Sequence, residues 1–235
     1  MPQKLRCAVA GVIDHGERVY SLMLRPERPA PRFAAGQFLH LALDPYRPGD
    51  FWPDSRVFSI ASSPAERDSL RITYAVKGAF TSRMEAELAI GRLVWVKLPY
   101  GEFTVDGRQG ACLIAGGTGI TAFTAFLAGL PADHAEAVDV FYGARRPDLL
   151  VYRSVIEEAA ARCPAVRAHF VAEQDADRAG CLSGRLELGN IGLRIRDPEK
   201  VTYYLSGPPV MISALRAELA GQGAESARVQ VDAWE

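Results

Sequence analysis

Residues 109–132 read QGACLIAGGTGITAFTAFLAGLPA, without one charged side chain. On length alone the run could cross a bilayer, which takes about 20 apolar residues. Its interior argues otherwise. Gly116-Gly117-Thr118-Gly119 breaks the apolar run near its start, Pro131 meets its end, and neither edge carries a basic flank, a Trp or a Tyr. Residues 111–115 instead form a short apolar strand, and Ile120, Phe123, Leu127 and Leu130 recur on one helical face. The stretch therefore reads as strand, glycine turn and helix, uncharged because sheet and helices bury it.

Working outward, the C-terminal part continues the alternation. Strands are expected over 138–142, 166–171, 201–205 and 228–231. Helices are expected over 148–162 and from Pro208-Pro209 to about Gly221. Such alternation means a mostly parallel sheet covered on both faces. The N-terminal part has another rhythm. Residues 4–13, 18–24, 37–44, 56–61, 69–77 and 93–98 are short, partly alternating runs separated by Gly, Pro and Asp clusters, the pattern of an antiparallel barrel or sandwich. Nine of the 15 prolines precede Asp106, which suits a loop-rich all-β unit. Its lone helix is expected over 81–88, with Thr81 as N-cap, Met84 and Leu88 on one face, and Gly91 as the stop. The polar stretch 106–110 makes a junction, giving an expected division into 1–105 and 106–235.

The 235 residues carry 27 Lys plus Arg against 28 Asp plus Glu, a formal net charge of -1, with a pI near 6.4. That balance lacks the basic surplus that nucleic-acid binding requires. Cys7, Cys112, Cys163 and Cys181 stand far apart, so no zinc or iron–sulfur ligand spacing is present. Isolated thiols and an N-terminus without an apolar leader point to a reducing, cytoplasmic setting and no membrane span.

Four constellations carry chemistry. Gly117-x-Gly119-x-x-Ala122 follows a strand and opens a helix, so its backbone can approach a pyrophosphate at the helix N-terminus; a bare strand-to-helix turn would show the same glycines. The acidic residue expected after that fingerprint, Asp139, begins the second strand, whereas that strand's end carries Arg145-Arg146, which leans toward the 2′-phosphate of NADPH. In Arg56-Val57-Phe58-Ser59, an arginine suits a diphosphate, and an aromatic two positions on shares its side of the strand. After Gly78, Thr81 and Ser82 open the lone helix, suited to a second phosphate; a strand with an exposed arginine and a routine N-cap would show the same residues. Ser206-Gly207-Pro208-Pro209-Val210-Met211 ends a strand at the sheet's carboxyl edge, where open α/β folds bind ligands.

In order, these motifs resemble the ferredoxin–NADP reductase superfamily over almost the whole chain. The resemblance implies an antiparallel β-barrel flavin domain followed by a Rossmann-like domain with a parallel sheet. It implies FAD held by Arg56, Val57, Phe58, Ser59, Tyr74, Val76, Gly78, Thr81 and Ser82, and NADPH or NADH held by Gly116, Gly117, Thr118, Gly119, Thr121, Arg145, Arg146, Ser206, Gly207, Pro208 and Met211. Ser59, Ser206 and Trp234 would act in catalysis, Ser206 standing where many members have Cys. The implied reaction is hydride transfer from NAD(P)H to FAD, with electrons passed to a separate acceptor protein such as a ferredoxin or an oxygenase component. No fused ferredoxin domain or iron–sulfur cluster is expected. A reductase of diffusible flavin, or a non-catalytic flavin-binding subunit, are the alternatives. The loop 44–55 precedes the flavin motif and reads first as an ordinary variable loop, with shaping of access to the ring as the alternative.

Overall fold

A computed structural model describes residues 1–105 and 107–232. The chain divides into two compact units, Met1–Thr104 and Val105–Glu235. The first holds β1 (Gln3–Asp14), β2 (Val19–Pro26), β3 (Phe38–Ala42), β4 (Ser55–Ser59), β5 (Leu70–Ala75), α1 (Ala79–Glu87) and β6 (Leu93–Tyr100). Its strands form a six-stranded antiparallel sheet in the order β4-β3-β6-β1-β2-β5. Alternation sends Leu5, Cys7 and Val9 inward, where they meet Leu22, Leu24, Leu39, Leu41, Val94 and Val96 in one buried core. α1 closes that core with Phe80 and Met84. Of the barrel and the sandwich that the alternating runs left open, the strands make the barrel, one nearly closed six-stranded sheet, as the family resemblance implied.

The second unit holds β7 (Ala111–Gly116), α2 (Thr121–Gly129), β8 (Val138–Ala144), α3 (Arg153–Arg162), β9 (Val166–Ala172), β10 (Leu182–Ser183), α4 (Leu188–Ile191), β11 (Thr202–Ser206), α5 (Pro209–Gly221) and β12 (Val229–Val231). All its pairings are parallel, in the order β10-β9-β8-β7-β11-β12. Every residue of β7 is buried, and α2 buries Thr121–Ala125 and Leu127, so charge is absent where side chains leave water. No helix among the described residues is long and apolar enough to cross a membrane.

Three local expectations need correction. α1 starts at Ala79 after Gly78, so Thr81 is the third helical residue rather than the cap. The helix expected over 148–162 is split: Pro147 starts a 3-10 turn over Pro147–Leu149, and α3 begins only at Arg153, where buried Leu150 and Tyr152 have anchored the connection. The glycine turn itself continues as a 3-10 turn, Gly117–Ile120, before α2.

Candidate functional site

In the barrel, the expected flavin residues gather around β4, β5 and the start of α1. β4 ends the sheet, bonded on one side only, to β3. Alternation puts Arg56 and Phe58 on one side of it and Val57 on the other, so Val57 can join them only through its backbone. The Phe58 ring stands edge-on to buried Tyr74, with centroids 6.1 Å apart. Tyr74 stacks on Tyr20 at 5.6 Å, whose hydroxyl donates to Glu85 at 3.1 Å. Burial pushes the Tyr74 phenol up, so it stays neutral. The Arg56 guanidinium lies over the Phe80 ring in the first turn of α1, 5.1 Å from its centroid. Val76 is partly buried against the barrel core, and Ser59 pairs with Phe38.

Gly78 leaves open space where a Cβ would stand. Thr81, expected to contact a phosphate, is committed locally. Its hydroxyl accepts from the N–H groups of Lys77 and Gly78 at 2.9 and 3.1 Å and donates to the Gly78 carbonyl at 3.1 Å. It shapes the entry to α1, leaving exposed Ser82 as the side-chain donor there.

In the α/β unit, the exits of β7 and β11 interlock. A Cβ on Gly119 would sit 2.5 Å from the Ser206 carbonyl carbon and oxygen and 2.6 Å from the Gly207 nitrogen. One on Gly207, where φ is +147°, would sit 2.9 Å from the Gly116 nitrogen, and one on Gly116 would sit 2.7 Å from Met211 Sδ and 3.0 Å from Pro208 Cδ. Gly117 is different: its φ is +55° and nothing lies within 4 Å of a Cβ placed there. Glycine at 119 and 207 thus serves close backbone packing, while at 117 it bares the turn. The Thr121 hydroxyl donates to the Thr118 carbonyl at 2.8 Å, holding that turn. The first turns of α2 and α5 carry no acidic residue, so no carboxylate of their own helices competes with an anion there, although the Thr121 N–H is already taken by the Thr118 and Gly119 carbonyls. These features fit a dinucleotide lying over the sheet's carboxyl edge.

The family described as "Oxidoreductase NAD-binding domain" matches residues 113–217. The reductase component of phenol 2-monooxygenase from Pseudomonas sp. (strain CF600) is 32% identical over 164 residues, covering 68% of this chain but 44% of that protein, so the chain spans less than half of that relative. The NAD(P)H-flavin reductase of Vibrio harveyi is 28% identical and matches 98% of both chains. A ferredoxin NADP+ reductase from Neisseria gonorrhoeae, solved with FAD and NADP, superposes with a TM-score of 0.79 at 17% identity over 98% of each chain. In fold and in sequence the chain is similar to proteins of the ferredoxin–NADP reductase superfamily.

Within that superfamily's motifs, the side chains depart from expectation at several points. Arg145 is exposed at the end of β8, as a nucleotide contact requires, but Arg146 is bound to Asp148 by two hydrogen bonds of 3.2 and 3.1 Å. Ser206 is 1% exposed, and its hydroxyl donates to Asp232 at 3.1 Å. Sequence reasoning missed Asp232 because it acts on a residue of another strand. Asp139 is an internal ion-pair centre: 1% exposed, it accepts from Arg167 Nε and Arg196 Nε, both at 2.9 Å, and from the Arg196 backbone at 2.7 Å. Trp234 lies outside the described residues.

Proposed function

We propose that this chain is an NAD(P)H-dependent flavoprotein reductase that takes hydride from NADPH or NADH onto FAD and passes the electrons to a separate acceptor protein. The observation that carries the reading is that one chain holds both a glycine-locked carboxyl edge, baring Gly117, and a barrel edge joining Arg56, Phe58, Tyr74 and α1. Flavin, when bound, supplies an acceptor of two electrons that can release them singly. Arg56 binds its diphosphate, Phe58 packs on the ring, Ser59 offers a hydroxyl to the ring's reactive edge, and Ser82 with the α1 N-terminus takes the second phosphate. Gly117 would let backbone N–H groups of its turn reach the nicotinamide pyrophosphate, with Gly119 and Gly207 holding the two strand exits close and Pro208 and Met211 beside them. Ser206, its hydroxyl fixed by Asp232, would stand at the nicotinamide end of the site.

A protein acceptor is supported by the Pseudomonas relative, which is named a reductase component. A cytoplasmic setting is supported by four free cysteines. The reading in which flavin diffuses in as substrate is favoured by the match along 98% of both chains to a protein named NAD(P)H-flavin reductase. Steady-state NAD(P)H oxidation with a protein acceptor tests both. Saturation at flavin equimolar with enzyme supports the first, and continued hyperbolic dependence on free flavin supports the second. No oxidation with either nucleotide, whatever flavin is added, refutes both.

A further inference from the structure

The arginine assigned to the flavin diphosphate already has an anionic partner. Arg56 Nη1 donates to Asp54 Oδ1 at 2.7 Å and to the Ser55 carbonyl at 2.8 Å, which uses both hydrogens of that nitrogen. The guanidinium plane rests over Phe80 at 5.1 Å, so three contacts park the side chain beside the start of α1. The segment carrying Asp54 is tied down on either side. Arg83 grips Asp44 with bonds of 3.2 and 2.9 Å, Tyr46 packs against Trp52 and Trp95 at 5.5 and 5.6 Å, and Trp52 Nε1 donates to Ser55 Oγ at 3.0 Å. Lys4 sits over the Tyr46 ring at 4.1 Å and donates to its hydroxyl at 2.7 Å. Asp54 is therefore delivered to Arg56 by an anchored loop.

We propose that Asp54 is an internal competitor for the flavin diphosphate, lowering the affinity of the barrel for phosphate-bearing flavins while leaving its affinity for riboflavin unchanged. The inference rests on the flavin reading of Arg56 given above. To engage a phosphate through Nη1, Arg56 must surrender the Asp54 carboxylate, and the released carboxylate then stands near the incoming negative charge. Both side chains are more than half exposed, at 53% and 62%, so the competition is modest and reversible. The device discriminates by charge alone: riboflavin, which has no phosphate, gains nothing from the freed guanidinium.

The test is flavin binding to the full chain freed of flavin, followed by calorimetry and quenching of flavin fluorescence, with FAD, FMN and riboflavin as probes. Asp54→Asn and Asp54→Ala are expected to tighten FAD and FMN by about three- to tenfold, the range an exposed pair plus a nearby like charge supports. Riboflavin should bind both variants as it binds wild type. Adding Arg56→Ala to Asp54→Asn should erase the gain. Unchanged or weaker FAD binding in Asp54→Asn overturns the inference while leaving the flavin reading intact, and so does equal tightening of riboflavin. If wild type and Asp54→Asn bind none of the three flavins, the flavin reading itself falls and the inference with it.

Discussion

Replacing Gly119 by alanine would put a methyl carbon 2.5 Å from the Ser206 carbonyl group and 2.6 Å from the Gly207 nitrogen. Contacts of this kind settle at about 3.5–4.0 Å, so the two strand exits must part by about 1 Å. All the opposing atoms are backbone, and no side chain can swing away. Forcing such a contact costs about 1–3 kcal/mol, which for a chain of this size lowers the melting temperature by about 2–12 °C. The same displacement opens the β7 and β11 exits that the nucleotide would span, so NADH and NADPH binding should weaken by at least about tenfold. Gly117→Ala is the matched control. Its Cβ meets no atom within 4 Å, and its penalty is the positive φ of +55°, about 1–2 kcal/mol. Its effect should fall mainly on nucleotide binding, because the methyl enters the space that the bared turn leaves for ligand. Differential scanning calorimetry and isothermal titration with each nucleotide measure both quantities. A Gly119→Ala protein with wild-type melting and wild-type nucleotide affinity would refute the close-packing argument.

Asp139→Ala should cost about 2–4 kcal/mol, since it strips a buried carboxylate from Arg167, Arg196 and a backbone N–H; an unchanged urea midpoint would contradict the ion-pair centre. Ser206→Ala should destabilise the fold by about 1–2 kcal/mol by removing a donor from buried Asp232, and should slow flavin reduction at saturating nucleotide; loss of stability with an unchanged rate would confine Ser206 to a structural role. Burial lowers the pKa of His15, His40 and His169, so the unfolded chain binds more protons than the fold as pH drops below about 6.5. Stability present at pH 7 should thus decline toward about pH 5, before Asp44, Glu85 and Glu87, whose folded pKa values are lowered, begin to protonate. Equal urea midpoints at the two pH values would contradict that sign.

What could be read from sequence divides along physical lines. The stretch 109–132 disclosed strand, turn and helix because burial of β7 on both faces leaves a local mark, a run without charge. Alternating runs disclosed the antiparallel unit for a different reason, since its strands bury one face and leave the other toward solvent. Gly117 and Gly119 were both found, but their different duties depend on Ser206 and Gly207, which are distant in the chain and adjacent in space. Thr81 was assigned a cap and a phosphate because hydroxyls at helix starts commonly serve those ends, whereas its hydroxyl turns back onto Lys77 and Gly78. The partners of Asp139, Arg146 and Ser206 show why titratable residues are hard to place from a motif. Asp139 and Ser206 are held by residues from other parts of the chain, and Arg146 by a neighbour two positions on.

Nicotinamide nucleotide should reduce flavin on this chain, and stopped-flow mixing of the flavin-loaded protein with NADH and with NADPH, in the absence of oxygen, measures that step alone. Rapid bleaching of the yellow flavin absorbance by at least one nucleotide, saturating with its concentration and strongly slowed in Gly119→Ala, is the predicted result. A flavin that stays yellow with both nucleotides would contradict the account.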